Sequence, residues 1–163
     1  MKQGITLFIF CLALVGCAVN QWPEQHQIQF DRPACIKPHS GYSYLTCRII
    51  QVEIDKTIIE IPHNFNTDLA SIPRWYWSIL SPAYSGFIAP SILHDYLYGC
   101  PNGRSRFEID SIFYNALRNN QVSFFTSIKM YFAVRVFGKS HYSEGNYCLN
   151  QYAYQKQYYV DKC

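Results

Sequence analysis

Charge is scarce in this chain. Of its 163 residues, 14 are Lys or Arg and 11 are Asp or Glu, so charged side chains make up 15% of the total. The formal net charge is +3, without a concentrated basic patch. Proteins that hold nucleic acid need such a patch for its phosphates, so nucleic acid is not an expected partner. Seven cysteines are present, yet none forms a Cys-x-x-Cys pair, which argues against a zinc ribbon or a thioredoxin-like site. No Gly-x-Ser-x-Gly elbow surrounds Ser71, so that serine reads as a turn residue and not as a hydrolase nucleophile. Internal repeats and low-complexity tracts are missing too. What is plentiful is aromatic: 17% of the chain, with fourteen tyrosines, several of them in the last stretch "NQYAYQKQYYVDKC". Tyrosine suits a boundary between polar and apolar surroundings, either an edge strand or a membrane surface. The length is about one domain's worth.

Lys2 is followed by "ITLFIFCLALVGC", an apolar run too short to span a bilayer comfortably. It ends in "LVGC", Leu14 to Cys17, which resembles the lipobox of bacterial lipoproteins. The resemblance implies that residues 1–16 are a signal peptide and that Cys17 carries the lipid. Ala18 follows where Asp would retain the protein elsewhere, implying outer-membrane sorting. The expected location is therefore the bacterial cell envelope, lipid-anchored to the outer membrane and facing the periplasm. Residues 17–40, with Pro23, Pro33 and Pro38, are expected to be a tether and an irregular lead-in, and residues 41–163 a single globular domain. Cys11 leaves with the signal and Cys17 is acylated, so Cys35, Cys47, Cys100, Cys148 and Cys163 remain. An exported protein favours disulfides, and an odd number leaves at least one thiol unpaired within the chain. Cys35–Cys47, closing a local loop, is the preferred bridge; pairing among the other three stays open.

From Tyr42 to Ile61 the chain is rich in β-branched and aromatic residues. "IIQVEI" and "TIIEI" flank Asp55-Lys56 and read as a β-hairpin with one face buried. "PHNFNTDLASIPRWYW", Pro62 to Trp77, carries turn formers and two prolines and reads as an ordered loop. Three helices are predicted after it. The first runs from about Pro90 to Tyr98, with Pro90 in its opening turn and Ile92, Leu93, Tyr96 and Leu97 as a core stripe. His94, Asp95 and Tyr98 then share another face. The second begins at Ser105, where "SRFE" is a capping box. Its stripe is Ile109, Ile112, Phe113 and Ala116, and Asp110 lies on the flank as a partly buried carboxylate that needs a partner. The third runs from Ser123 and stops at Gly138, read as a C′ glycine. The expected fold class is α+β, with an N-terminal β-hairpin region packed on a core of antiparallel helices.

Two helices joined by the short "GCPNG" loop would pack antiparallel and let His94 face Asp110. A histidine nitrogen held by a buried carboxylate keeps one tautomer, leaving the other nitrogen to accept a proton from water. Asp95, beside it, offers oxygen to a hard cation. A general base and a cation for the oxyanion together suffice for hydrolysis. The bland alternative is a histidine bonded to a carbonyl, with Asp95 capping or pairing with Arg104 or Arg106. A different enzyme class is also to be weighed: His63, His94-Asp95 and Asp110 follow the metal-ligand order of HD-domain phosphohydrolases. That fold is all-helical and larger, whereas His63 here follows a predicted strand and Pro62.

"HDYLY" resembles the His-Asp-x-x-Tyr core of secreted phospholipase A2. "RFEIDSIFYNAL" is similar to the helix bearing that family's second aspartate in its bacterial form, "MYFAVRVFG" to the segment after it, and "TDLASIP" stands where the calcium loop belongs. The same stretches, Asn64 to Tyr142, resemble more closely a phage and bacterial family, domain of unknown function 1353. Its pattern is Thr-Asp-x-Ala-Ser-x-Pro-Arg, His-Asp-Tyr-x-Tyr, Arg, Asp and Val-Arg-x-Phe-Gly. The phospholipase resemblance implies that His94 is the general base and Asp110 its orienting carboxylate. It implies Asp95, Asp68 and the Leu69 carbonyl as calcium ligands, with Tyr98 supporting Asp110 through a hydrogen bond. Two departures stand out: the glycine-rich calcium loop of the animal enzymes is absent, and Leu93 replaces the cysteine before the His-Asp pair. Arg74 could instead neutralise Asp68. The leading expectation is a lipid-anchored, calcium-dependent phospholipase A2-like esterase acting on phospholipid. The competing one is a non-catalytic, phage-derived lipoprotein that binds a partner or excludes other phages; a protein partner is not defined by the sequence.

Overall fold

A computed structural model of the chain describes residues 22–41, 43–69 and 85–142. The lipidation residue Cys17, and Ser71 and Arg74, lie outside the described residues. Among those described there are six strands, all N-terminal, and three helices, all C-terminal, so the fold is α+β. The strands are β1 (Ile28–Phe30), β2 (Ile36–Pro38), β3 (Tyr44–Thr46), β4 (Ile50–Ile54), β5 (Thr57–Ile61) and β6 (Asn66–Thr67). The helices are α1 (Ser85–Gly99), α2 (Arg106–Asn119) and α3 (Phe124–Phe137), followed by a 3₁₀ turn at Gly138–His141.

The predicted hairpin is β4–β5, with Val52 opposite Ile59. Its two-residue turn places Asp55 and Lys56 at positive φ, 48° and 70°, the mirror-image geometry that matches strand twist. The Asp55 carboxylate accepts from the Gln27 N–H at 2.8 Å and from the His26 ring at 2.6 Å. That side-chain bond from His26 holds the Asp55 carboxyl below its usual range. Along β4 every second residue is buried, as one covered face demands. β1 pairs antiparallel on the other side of β4, giving the order β1-β4-β5.

Within the stretch expected to be a tether and irregular lead-in, Ile28–Phe30 and Ile36–Pro38 form β1 and β2. β2, β3 and β6 form a second antiparallel sheet. The expected Cys35–Cys47 disulfide is present, with Cα atoms 5.3 Å apart, and it fastens β2 to β3. Cys100 is disulfide-bonded as well. Thr46, fully buried, donates to the Pro62 carbonyl at 2.7 Å and accepts from the Phe65 N–H at 2.9 Å. These bonds hold the chain after β5 against β3, so the stretch predicted as a loop contributes strand β6.

α1 extends five residues earlier than the prediction and carries Pro90 inside it. A proline there supplies no N–H to the carbonyl four residues back. That carbonyl, Gly86 O, instead accepts from the Asn120 side chain at 3.3 Å. α1 is buried nearly all round: Ile92, Leu93 and Leu97 join Ile50, Val52, Ile54 and Ile61 of the sheet and Ile109 and Ile112 of α2 in one core. Each fully buried apolar side chain of this kind contributes about 1.5–3 kcal/mol. A helix covered on all sides must find partners for every polar side chain it carries.

α2 starts as predicted, with Ser105 accepting from the Glu108 N–H at 3.2 Å, while the Glu108 carboxylate pairs with Arg104 at 3.3 Å. Asn115 and Asn119 donate to Glu24 O and Ile28 O, each at 2.7 Å, tying α2 to the segment before β1 and to β1 itself. α3 follows Ser123, the residue from which the third helix was expected to run, and Ser123 caps it by accepting from the Thr126 N–H. Gly138 differs from the expectation: its φ is −77°, not left-handed. A Cβ at that position would lie 2.7 Å from the Tyr98 hydroxyl. Glycine is there because α3 must close over Tyr98.

Candidate functional site

The site grows from α1, whose core stripe fixes where His94, Asp95 and Tyr98 point. The loop after α1 turns with Asn102 and Gly103 at positive φ, 52° and 81°, and returns the chain so that α2 packs on α1. Asp110, on the first turns of α2, then meets α1. The His94 Nε2 lies 2.9 Å from Asp110 Oδ1, as the sequence predicted. The Tyr98 hydroxyl, one turn further along α1, donates to the same oxygen at 2.6 Å.

Asp110 is completely buried. Burial alone would push its carboxyl up, but hydrogen bonds from His94, Tyr98 and Arg135 outweigh it, and the group is held below the usual carboxylate range. An ionised carboxylate only accepts, so the His94 Nε2 is the donor in this contact. Asp110 has the opposite effect on Tyr98. Burial and then the Asp110 charge push the phenol well above its ordinary value, which keeps it a neutral donor.

Two arginines share Asp110, and sequence reasoning assigned neither to it. Arg135 Nη1 donates to Oδ2 at 2.8 Å; Arg106 Nε lies 3.9 Å from the same oxygen and its Nη2 donates to the Arg135 carbonyl at 2.6 Å. Arg106 and Arg104 are thus engaged with Asp110 and Glu108, not with Asp95. The one available signal was Arg135 itself, a lone cation in the apolar run "MYFAVRVFG". The His94 ring is 3% exposed, with its centroid 4.0 Å from that of Tyr98 and 4.7 Å from that of Phe113.

β6 and the two residues after it bring Thr67, Asp68 and Leu69 to Asp95, the neighbour of His94 on α1. Thr67 Oγ1 donates to Asp95 Oδ2 and accepts from the Leu69 N–H at 3.0 Å. Leu69 takes positive φ, 65°, which turns its N–H toward this group. Burial first, then the charge of Asp68, pushes Asp95 up to about 8, despite the opposing Thr67 and Leu69 bonds. Paired acids in a confined place call for a shared proton or a cation. The oxygen-only donors suit a hard cation such as calcium. Thr67 is a further partner that sequence reasoning did not name. Among the described residues no group of three or more His, Cys, Asp or Glu side chains could hold a metal, so His63 does not complete an HD-type set.

The fold and the site define a class: a small α+β domain whose central helix carries a His-Asp pair between a buried carboxylate and an acidic strand end. Residues 46–134 match the family described as "Protein of unknown function (DUF1353)", and the chain belongs to that family. Over 79 residues it is 32% identical to "Uncharacterized protein y4jT" of Sinorhizobium fredii (strain NBRC 101917 / NGR234), covering 48% of this chain and 23% of that one. This chain therefore spans less than a quarter of the length of the curated relative it matches. No solved structure matches it.

Proposed function

We propose that this protein is a lipid-anchored esterase of the phospholipase A2 type, held to the cell envelope through Cys17. The observation that carries the reading is the 2.9 Å contact between His94 Nε2 and Asp110 Oδ1, with Tyr98 on the same oxygen. Asp110 fixes the tautomer, and Nδ1 takes a proton from water as its oxygen attacks the ester carbonyl. The proton then passes from Nδ1 to the leaving alkoxide as the carbonyl reforms and the ester bond breaks. Asp110 and Tyr98 orient the ring; neither touches substrate. Asp95 and Asp68 would hold calcium, with the Leu69 carbonyl as a further ligand. Such an ion supplies positive charge for the developing oxyanion and the lipid phosphate.

A second reading is favoured by one observation. His94 is almost completely buried, and Arg135 already balances the Asp110 charge. On that reading the His-Asp-Tyr-Arg network is structural, and the chain is a non-catalytic phage-derived lipoprotein that acts by binding or by superinfection exclusion. The assay that separates them is fatty-acid release from mixed phospholipid micelles, with added calcium and with chelator. Release that chelator abolishes supports the esterase; no release in either condition gives the protein to the second reading.

A further inference from the structure

Trp22, the first described residue, is 51% exposed, and its ring lies 6.4 Å from that of Phe124 at the start of α3. Phe125 follows, 73% exposed, edge-on to Phe124 at 5.5 Å. The apolar row continues along the same side of α3 through Phe132 and Val136, seven and eleven residues after Phe125 and both exposed, the spacing of one helix face. Arg118 stacks over Phe124 at 6.0 Å, and Lys129 is exposed on the same helix. A helix of a water-facing domain does not ordinarily spend three aromatic side chains this way.

The position of the row in the chain says what covers it. Trp22 stands five residues after Cys17, and five extended residues span at most about 17 Å. An acyl chain on Cys17 therefore holds Trp22, and the Phe124–Phe125 pair beside it, within that distance of the bilayer. Aromatic rings prefer the depth of the headgroups, and Arg118 and Lys129 add attraction to an anionic leaflet.

We infer that Trp22, Phe124, Phe125 and the row along α3 are the surface this protein lays against the lipid bilayer. The inference rests on the lipid-anchor reading of Cys17 and names the face that the anchor presents. It orients α3 toward the membrane and puts β5, on the sheet edge opposite β1, away from it.

The test uses the full chain, expressed with its N-terminus intact, labelled with a fatty-acid analogue, purified and placed in phosphatidylethanolamine–phosphatidylglycerol vesicles. Tryptophan reporters are introduced at two exposed positions, Phe125→Trp on α3 and Ile58→Trp on β5. Emission is compared in vesicles with and without bromine on the acyl chains, and the signal of the parent protein is subtracted. The expected result is quenching of the Phe125→Trp signal and none of the Ile58→Trp signal. Labelled protein in which both reporters, or neither, are quenched would overturn the inference while the anchor stands. A doubled mass in detergent with an unquenched Phe125→Trp signal would overturn it by giving the face to a second copy. Chain that takes up no label would remove the anchor and this inference together.

Discussion

Replacing Gly138 with Ala probes how tightly the site is closed. At φ −77° the backbone accepts any residue, so entropy alone would make the change stabilising by about 0.4–1 kcal/mol. Space decides otherwise. The new Cβ would sit 2.7 Å from Tyr98 Oη, 3.1 Å from Cε1 and 3.3 Å from Cζ. Tyr98 cannot step aside, because it is 3% exposed and its hydroxyl is bonded to Asp110. Overpacking of this kind costs about 1–3 kcal/mol, so the net expectation is a loss of about 1–2 kcal/mol. Tyr98→Phe removes the closest atom. Alone it gives up a hydrogen bond to a charged group, worth about 1.5–3 kcal/mol. Combined with Gly138→Ala it should cost less than the two separate losses added together, because the clash and the bond share one oxygen. Urea unfolding of the four proteins, followed by circular dichroism, measures the cycle. Gly138→Ala as stable as the parent, or a strictly additive double variant, would refute the reasoning.

Other outcomes follow from the same contacts. Arg135→Met strips the buried Asp110 of its closest cation and should destabilise by on the order of 3 kcal/mol; a loss too small to resolve in urea unfolding would contradict the pairing. Replacing Cys35 and Cys47 together with Ser should cost about 3 kcal/mol in the chain-entropy model, and the parent protein should yield the linked peptide in non-reducing mass spectrometry. Asp95, raised to about 8 by burial and by Asp68, keeps in the folded chain a proton that the unfolded chain releases near its ordinary value. Its contribution is full below about pH 4 and is lost as pH climbs toward 8. Without cations, stability should therefore decline across that window, and Asp95→Asn should flatten the decline; an equally steep Asp95→Asn profile would assign the effect elsewhere.

The sequence was most informative where one local rule settles one feature. Alternation around Asp55-Lys56 gave the hairpin, Ser105 and Glu108 gave the start of α2, and the short loop after α1 put His94 opposite Asp110. It was least informative where distant partners override local preference. Pro90 reads as a helix start until Asn120, thirty residues on, is seen covering the freed Gly86 carbonyl. β1 and β2 are three residues each, too short for periodicity, and they exist because Asn119 and the Cys35–Cys47 bridge hold them. Arg135 stands out as a lone cation in an apolar run, but nothing local names its acceptor, Asp110, which is 25 residues away on another helix. Gly138 carries the signature of a helix stop, and only the packed Tyr98 shows that the requirement is room.

The burial of His94 shapes the experiment that bears most directly on the esterase reading. Alanine there would open a hole between Tyr98 and Phe113, whereas glutamine nearly fills the space and can still donate to Asp110. It cannot take a proton from water. His94→Gln and the parent protein should therefore be compared for fatty-acid release from mixed phospholipid micelles with calcium present, after urea unfolding confirms that both are folded. The account predicts that the parent releases fatty acid and that His94→Gln does so about 10²–10⁴-fold more slowly, the usual worth of a general base. A folded His94→Gln protein that hydrolyses as fast as the parent, or a parent that releases nothing, would contradict it.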